Sequence, residues 1–269
     1  MKITKEVPRN LTQLLRATAL AKWRGKSCEK QFCSNVTQAI GILGEDLDVS
    51  THQISQLKRF YESVGLKPAT VNQKLVNLHS ILSYGNENGW VKSIPKFTFD
   101  KIDNDNARTR VLSAEEETKM LEWLRANGGE VMAGFCELLL LTGCRRSELL
   151  TAQRMNVDGV WLRLYVTKTK VGRSIPLNPR AKELADRFIP FALDIAQITA
   201  LFGKAKEACG LKDDDSLVLH SLRHTSATRL LRKCKNIKVV KEFLGHANLK
   251  TTERYAKLHD DDLMQAVLM

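Results

Sequence analysis

Four short stretches in the second half of this 269-residue chain gather side chains able to grip an anion or act as a nucleophile. "LTGCRRSELL" sets Arg145 and Arg146 after a glycine that ends an apolar segment, with Glu148 three residues past Arg145. "VTKTKVGR" carries Lys168 and Lys170 near the tip of a predicted hairpin. "LHSLRHTSATRLL" places His220 and Arg223 three residues apart, one helical turn, so both can face the same ligand. "LGHANLKTTERYAKL" holds His246 and, nine residues on, Tyr255. Taken singly, each has an ordinary explanation. The arginines can pair with Glu148, the lysines can sit in a solvated turn, and the tyrosine can pack. His224 is expected to point away from the His220–Arg223 pair and is read as structural.

Together and in this order the stretches resemble the tyrosine recombinase family, the phage and mobile-element integrases. That family carries an Arg in "TG-x-R-x-S/G-E-L", a hairpin Lys, "H-x-x-R-H", "L-G-H", and a Tyr about nine residues later. The resemblance spans about residues 108–269. The first hundred residues share only helical character and position with the family's core-binding domain. The resemblance implies that Arg145, His220, Arg223 and His246 handle the scissile phosphate, with Glu148 in support and Tyr255 as nucleophile. For the hairpin lysine the reading is Lys168, by counting back from Arg173 and Pro176, with Lys170, favoured by the "TK-x-G" turn, as the alternative.

The implied function is a site-specific DNA recombinase that cuts and rejoins DNA through a 3′-phosphotyrosine, integrating or excising a phage or mobile element. The alternatives are a Xer-like resolvase or, further off, a type IB topoisomerase-like enzyme or a catalytically inactive DNA-binding protein. The implied partners are double-stranded DNA with core-type sites, three further copies of the chain in a homotetramer on DNA, and accessory DNA-bending or directionality factors. The tetramer contact is expected through Leu263–Leu268, where Leu263, Met264, Val267 and Leu268 recur at helical spacing. No arm-binding domain precedes the first helix near Leu11 in this sequence, so the chain reads either as a simple recombinase or as a fragment of a longer one.

The residue types suit this chemistry on physical grounds. A phosphodiester under attack gathers charge on its equatorial oxygens. Two guanidiniums can clamp those oxygens with paired donors, where lysine offers only a point charge. A phenol with a pKa near 10 needs a base, for which His220 is the candidate, and nearby arginines favour the phenolate. A hairpin lysine could protonate the departing 5′ oxygen, and His246 could donate to the phosphate. No cofactor is expected: there is neither a carboxylate cluster suited to Mg²⁺ nor a Walker A motif.

The elements that must hold these residues are mostly helices. Residues 10 to about 94 read as consecutive helices, with Leu11, Leu14, Leu15 and Thr18 on one face and Val71, Leu75, Leu78 and Leu82 on another. The expected organisation is a helical core-binding domain (1–95), a polar linker (96–110) and a catalytic domain (111–269). Ser113 and Glu116 form a capping-box pattern, and "EVMAGFCELLLLTG" is apolar enough for a central core helix. Asp158-Gly159 signals a hairpin, followed by alternation over Trp161–Val166 and a third strand at "RSIPL". The fold class expected is therefore mainly α, a SAM-like helical bundle plus an α-rich catalytic domain with a small antiparallel three-stranded sheet.

Composition agrees with an anionic partner. Lys and Arg total 42 against 30 Asp and Glu, for a net charge of +12, and residues 1–100 carry half of that excess. Charge spread over both halves points to nucleic acid contacted by both. Six cysteines lack zinc-site spacing and are expected to be reduced and mostly buried. The chain reads as soluble and cytoplasmic, in a bacterial or archaeal host cell and nucleoid-associated, with no membrane contact.

Overall fold

Local caps write the helix starts. In the computed structural model the described residues are 7–26, 28–102, 110–165 and 172–256. They divide into two units, Met1–Asn104 and Asp105–Met269.

In the first unit the Asn10 side chain accepts from the Gln13 N–H and opens α1 (Leu11–Thr18), which buries Leu11, Leu14, Leu15 and Thr18. The chain then widens into a π-helical turn over Ala19–Trp23, which propensity alone does not foretell. α2 (Glu29–Leu43) follows. Ser50 and Gln53 form a reciprocal capping box at α3 (Thr51–Ser63), and Pro68 starts α4 (Pro68–Glu87). Phe32, Val36, Ile54, Leu57, Leu75 and Leu78 form the heart of this core. One cation is buried with them: Lys74 of α4 donates to Gln38 and Asn35 and lies over the Tyr61 ring.

The stretch expected as linker is anchored where it is described. The Phe97 ring meets His79 edge-on, and Asp100 pairs with Lys58 and Asn72. Arg110 belongs to the second unit, where it binds Glu116 and Asp214. Residues 103–109 lie outside the described residues.

In the second unit Ser113 and Glu116 form the expected capping box at α5 (Ala114–Thr142). Gly129, at φ +77°, breaks that helix between its polar start and its apolar second half. The apolar half buries Met132, Phe135, Leu138 and Leu139 and packs against α7 (Pro179–Phe188), α8 (Ile195–Ala208) and α9 (Ser221–Cys234). Gly143 ends α5 in the left-handed conformation, φ +58°, and delivers Arg145 to the N-cap of the short helix α6 (Arg146–Leu150).

The sheet is antiparallel in the order β1 (Val157–Asp158), β2 (Trp161–Leu164), β3 (Arg173–Pro176). Asp158 pairs with Trp161 around the Gly159-Val160 turn, and Leu164 pairs with Arg173. Leu162, Leu164 and Ile175 face the core. β2 ends at Leu164, short of the Val166 expected from alternation. Residues 166–171, and with them Lys168 and Lys170, lie outside the described residues. Two more helices, α10 (Ile237–Leu244) and α11 (Lys250–Glu253), complete a mainly helical fold with one small sheet.

Among the described residues no helix is long and apolar enough to cross a membrane. Of the six free cysteines only Cys136 and Cys144 are buried, so the expectation of mostly buried thiols is corrected. Cys28 is exposed, and Cys33, Cys209 and Cys234 are half-buried at the edges of the cores they pack against.

Candidate active site

The start of α9 is fixed before any ligand arrives. The Ser221 hydroxyl accepts from the Val218 N–H and donates to the Ser216 carbonyl. Thr225 Oγ1 donates to the Ser221 carbonyl and accepts from the Leu112 N–H, tying the helix to the start of the unit. Its first turn therefore presents side chains from a rigid mount.

Arg223 is the most constrained of them, at 2% exposure. Its Nη1 donates to the Gly143 carbonyl, and its Nη2 donates to the Leu244 carbonyl (2.7 Å) and meets His246 Nε2 (3.1 Å). Burial, with Arg173 and Arg145 nearby, pulls its pKa down to about 10, which leaves it cationic at neutral pH. None of its hydrogen-bond partners among the described residues is a carboxylate.

The carboxylate of the site is committed elsewhere. Glu148 Oε2 accepts from the Arg145 backbone N–H (2.8 Å) and Arg173 Nη2 (2.8 Å). Its Oε1 accepts from Arg145 Nη1 (2.7 Å) and Arg173 Nη1 (3.2 Å). Burial pushes this carboxyl up, but Arg173 and the two Arg145 donors outweigh it and hold it below the usual carboxylate range. Arg173 was used in the sequence reading only as a counting mark. Here it joins β3, beside the hairpin that bears the lysines, to the arginine–glutamate pair. It also fills the space beside Gly245, where a Cβ would come within 2.7 Å of Arg173 Cδ. Gly245 sits at φ +63°, so the "LGH" glycine answers both to its backbone and to this arginine.

His246 is held on both sides. Arg223 can only donate, so His246 Nε2 accepts, and Nδ1–H then donates to Thr252 Oγ1 (2.9 Å). This tautomer is assigned from the hydrogen-bond network. Burial, together with Arg223, Arg145, Arg254 and Arg173, lowers its pKa to about 4, so it is neutral. The Nε2 that the resemblance casts as a donor to phosphate here accepts from Arg223.

Tyr255 follows α11 and is 8% exposed, packed with Ala227, Val240 and Leu244. Burial raises its pKa despite Arg223, Arg254 and Arg145, so the arginines do not win the phenolate. Its Oη lies 2.8 Å from His224 Nδ1. This corrects the reading of His224 as a side chain pointing elsewhere. At about 100° per residue, i+4 falls about 40° from i, and i+3 about 60° on the other side. His220, Arg223 and His224 therefore share one sector of α9. The signal in the sequence is the final His of "HSLRH", since i+4 lies beside i on a helix. His220 is exposed at the N-cap of α9, its ring edge-on to His224 at 4.8 Å; burial, Arg223, Arg145 and Arg254 lower its pKa.

The second unit thus brings Arg145, Glu148, Arg223, His246 and Tyr255 together with Arg173, His224 and Thr252, which the sequence reading had not assigned to the site. The arrangement sets fixed guanidiniums beside a buried phenol. The phage integrase family profile matches residues 110–262. A tyrosine recombinase of Pseudothermotoga lettingae is 26% identical, aligned over 88% of this chain and 89% of its own. Tyrosine recombinase XerC of Neisseria meningitidis is 26% identical over 82% of this chain and 78% of its own. The crystal structure of a lambda integrase (residues 75–356) dimer bound to a COC′ core site superposes with a TM-score of 0.71 at 20% identity, covering 90% of this chain and 97% of that one. The chain belongs to the phage integrase family, the tyrosine recombinases, enzymes that cleave and rejoin DNA.

Proposed function

We propose that this chain is a site-specific recombinase of the integrase type, in which Tyr255 attacks one DNA strand and stores the broken bond as a 3′-phosphotyrosine. The observation that carries the reading is the buried Arg223, held by two carbonyls and an imidazole, beside a buried tyrosine. Among the described residues, three neighbouring guanidiniums (Arg145, Arg173, Arg223) have one carboxylate near them, that of Glu148, and an uncompensated positive charge of this kind is costly unless an anion completes it. A phosphodiester supplies that anion, and the remaining donors of Arg145 and Arg223 suit its equatorial oxygens.

The phosphate enters between Arg145 and Arg223, His246 keeps Arg223 oriented, and Tyr255 Oη attacks phosphorus. The 5′ oxygen leaves with a proton from Lys168, or alternatively Lys170. The phosphate's charge raises the basicity of His246, which lets it donate in turn. A 5′-hydroxyl from the partner duplex then attacks the phosphotyrosine and frees Tyr255. Two duplexes need four such sites, hence a homotetramer on DNA, with both units of the chain contacting DNA through phosphates. The segment Leu263–Leu268, outside the described residues, is the candidate contact between protomers. A chain truncated after Lys257 should then lose assembly on DNA by gel filtration.

A nicked suicide duplex carrying the site recovered from the junction of the element tests the chemistry. Wild type should trap a covalent adduct in chelator, and Tyr255→Phe should trap none. An adduct persisting in the variant would overturn the assignment. The XerC relatives favour a second reading, a resolvase of chromosome dimers, and a direct repeat flanking an inserted element would decide for the integrase.

A further inference from the structure

Tyr255 needs somewhere to put its proton, and the residue the sequence suggested is not the one that touches it. His220 has no hydrogen bond to Tyr255 among the described residues, whereas His224 Nδ1 lies 2.8 Å from Oη. Among the described residues the other bases of the site are occupied: Glu148 is shared between Arg145 and Arg173, and both nitrogens of His246 are engaged, with Arg223 and Thr252. His224 is 4% exposed, so bulk water does not replace it easily. A phenol is the stronger acid of the pair and an imidazole nitrogen the stronger base, so the favoured arrangement has Tyr255 O–H donating into an unprotonated Nδ1.

We propose that His224 is a catalytic residue: its Nδ1 accepts the phenolic proton of Tyr255 as Oη attacks the scissile phosphate, and returns it when the strand is resealed. The inference rests on Tyr255 being the nucleophile. In cleavage the O–H bond of Tyr255 breaks, its proton moves to Nδ1, the Oη–P bond forms, and the P–O5′ bond breaks with the 5′ oxygen taking a proton from the hairpin lysine. In resealing a 5′-hydroxyl attacks phosphorus, gives its proton back to that lysine, and the tyrosine oxygen leaves with the proton from His224.

The surroundings explain why the transfer waits for DNA. His224 is faced by His220 and Arg223 from α9 and by Arg254 and Tyr255 from the segment after α11. Burial first, then His220, Arg254 and Arg223, lower its pKa to about 4. Without DNA it stays neutral and Tyr255 stays a phenol. The phosphodiester brings the negative charge that favours the imidazolium, and the pentacoordinate phosphate strengthens that effect.

The test separates a base from a mere support. Asn at 224 can accept the phenolic hydrogen bond through its amide oxygen but cannot hold the proton. Single-turnover cleavage of the nicked duplex would be followed from about pH 6 to pH 9, below the ordinary phenol range. We expect the full-length His224→Asn variant to retain DNA binding yet cleave about 100-fold more slowly at pH 7. Its rate should climb with pH across the range and close on wild type. A His220→Asn variant should lower the rate without changing the shape of the profile. Cleavage by His224→Asn within about threefold of wild type, or slowed by one factor at every pH, would overturn the proposal. Long-range ¹H–¹⁵N NMR of the DNA-free wild type gives a second reading independent of any variant's folding. Nδ1 should be the unprotonated nitrogen, and a protonated Nδ1 would also overturn it. Adduct loss in Tyr255→Phe with full-speed His224→Asn would sink only the role of His224. An adduct surviving in Tyr255→Phe would sink the nucleophile itself.

Discussion

Each unit buries a cation without a carboxylate partner among the described residues, and the two are treated in opposite ways. Lys74 in the first unit meets two side-chain amides and the Tyr61 ring, and burial lowers its pKa. Its neighbours are neutral, and a lysine can shed its proton when desolvated. Arg223 in the second unit meets two backbone carbonyls and an oriented imidazole on a helix pinned by Ser221 and Thr225. An arginine keeps its charge at any physiological pH. A lysine that can be neutralised serves packing. A permanently charged group on rigid supports keeps its field for an anion that comes and goes.

Replacing Arg223 by Lys is the strongest way to break that contrast. The ammonium cannot span two carbonyls, His246 and a phosphate at once, so cleavage should fall by about 100- to 1000-fold. Near-normal rates in a single-turnover assay would mean that a point charge suffices. Glu148→Gln comes next. It strips two arginines of their buried anion and should destabilise the unit by about 3 kcal/mol in urea titrations. The folded Glu148 pKa is depressed, so its stabilisation is present above the ordinary value of about 4.3 and is lost as pH falls through the folded value. The variant should flatten that acid limb, and an unchanged limb would deny the pairing.

Thr252→Val sharpens the comparison at lower amplitude. Without its acceptor His246 no longer has a fixed tautomer, and cleavage should slow by about five- to tenfold, equivalent to about 1 kcal/mol. Lys74→Met should do least, changing stability by less than about 1 kcal/mol and leaving cleavage intact. In wild type the folded Lys74 pKa lies below the unfolded value of about 10.4, so stability should rise with pH between those two values. Met at 74 should abolish the rise, and a loss of several kcal/mol would show that the charge is needed there too.

Much of the fold was legible where the signal is local. Ser50 with Gln53, and Ser113 with Glu116, announce their helices because a cap is closed within one turn. The apolar faces of α1 and α4 follow from the helical period. At the site, Arg145, Arg223, His246 and Tyr255 were reached through the order of their motifs. Arg173 was not, because its pairing with Glu148 closes a loop of 25 residues that no local pattern encodes. His224 was within reach, since a helix puts i+4 beside i as readily as i+3. The tautomer of His246 depends on Thr252 and Arg223, which lie on different elements, so only the assembled site defines it.

Gly245 carries a consequence of another kind. The room left by its missing side chain is taken up by Arg173, so the strand leaving the lysine hairpin and the turn leading to His246 interlock like a pin in a socket. Slack introduced on either side is passed to the other. A methyl group at 245 would act as a wedge, pushing Arg173 of β3 and the turn before His246 apart in one stroke. Tolerance to change at this site is therefore set by mechanical fit at a residue with no chemistry of its own.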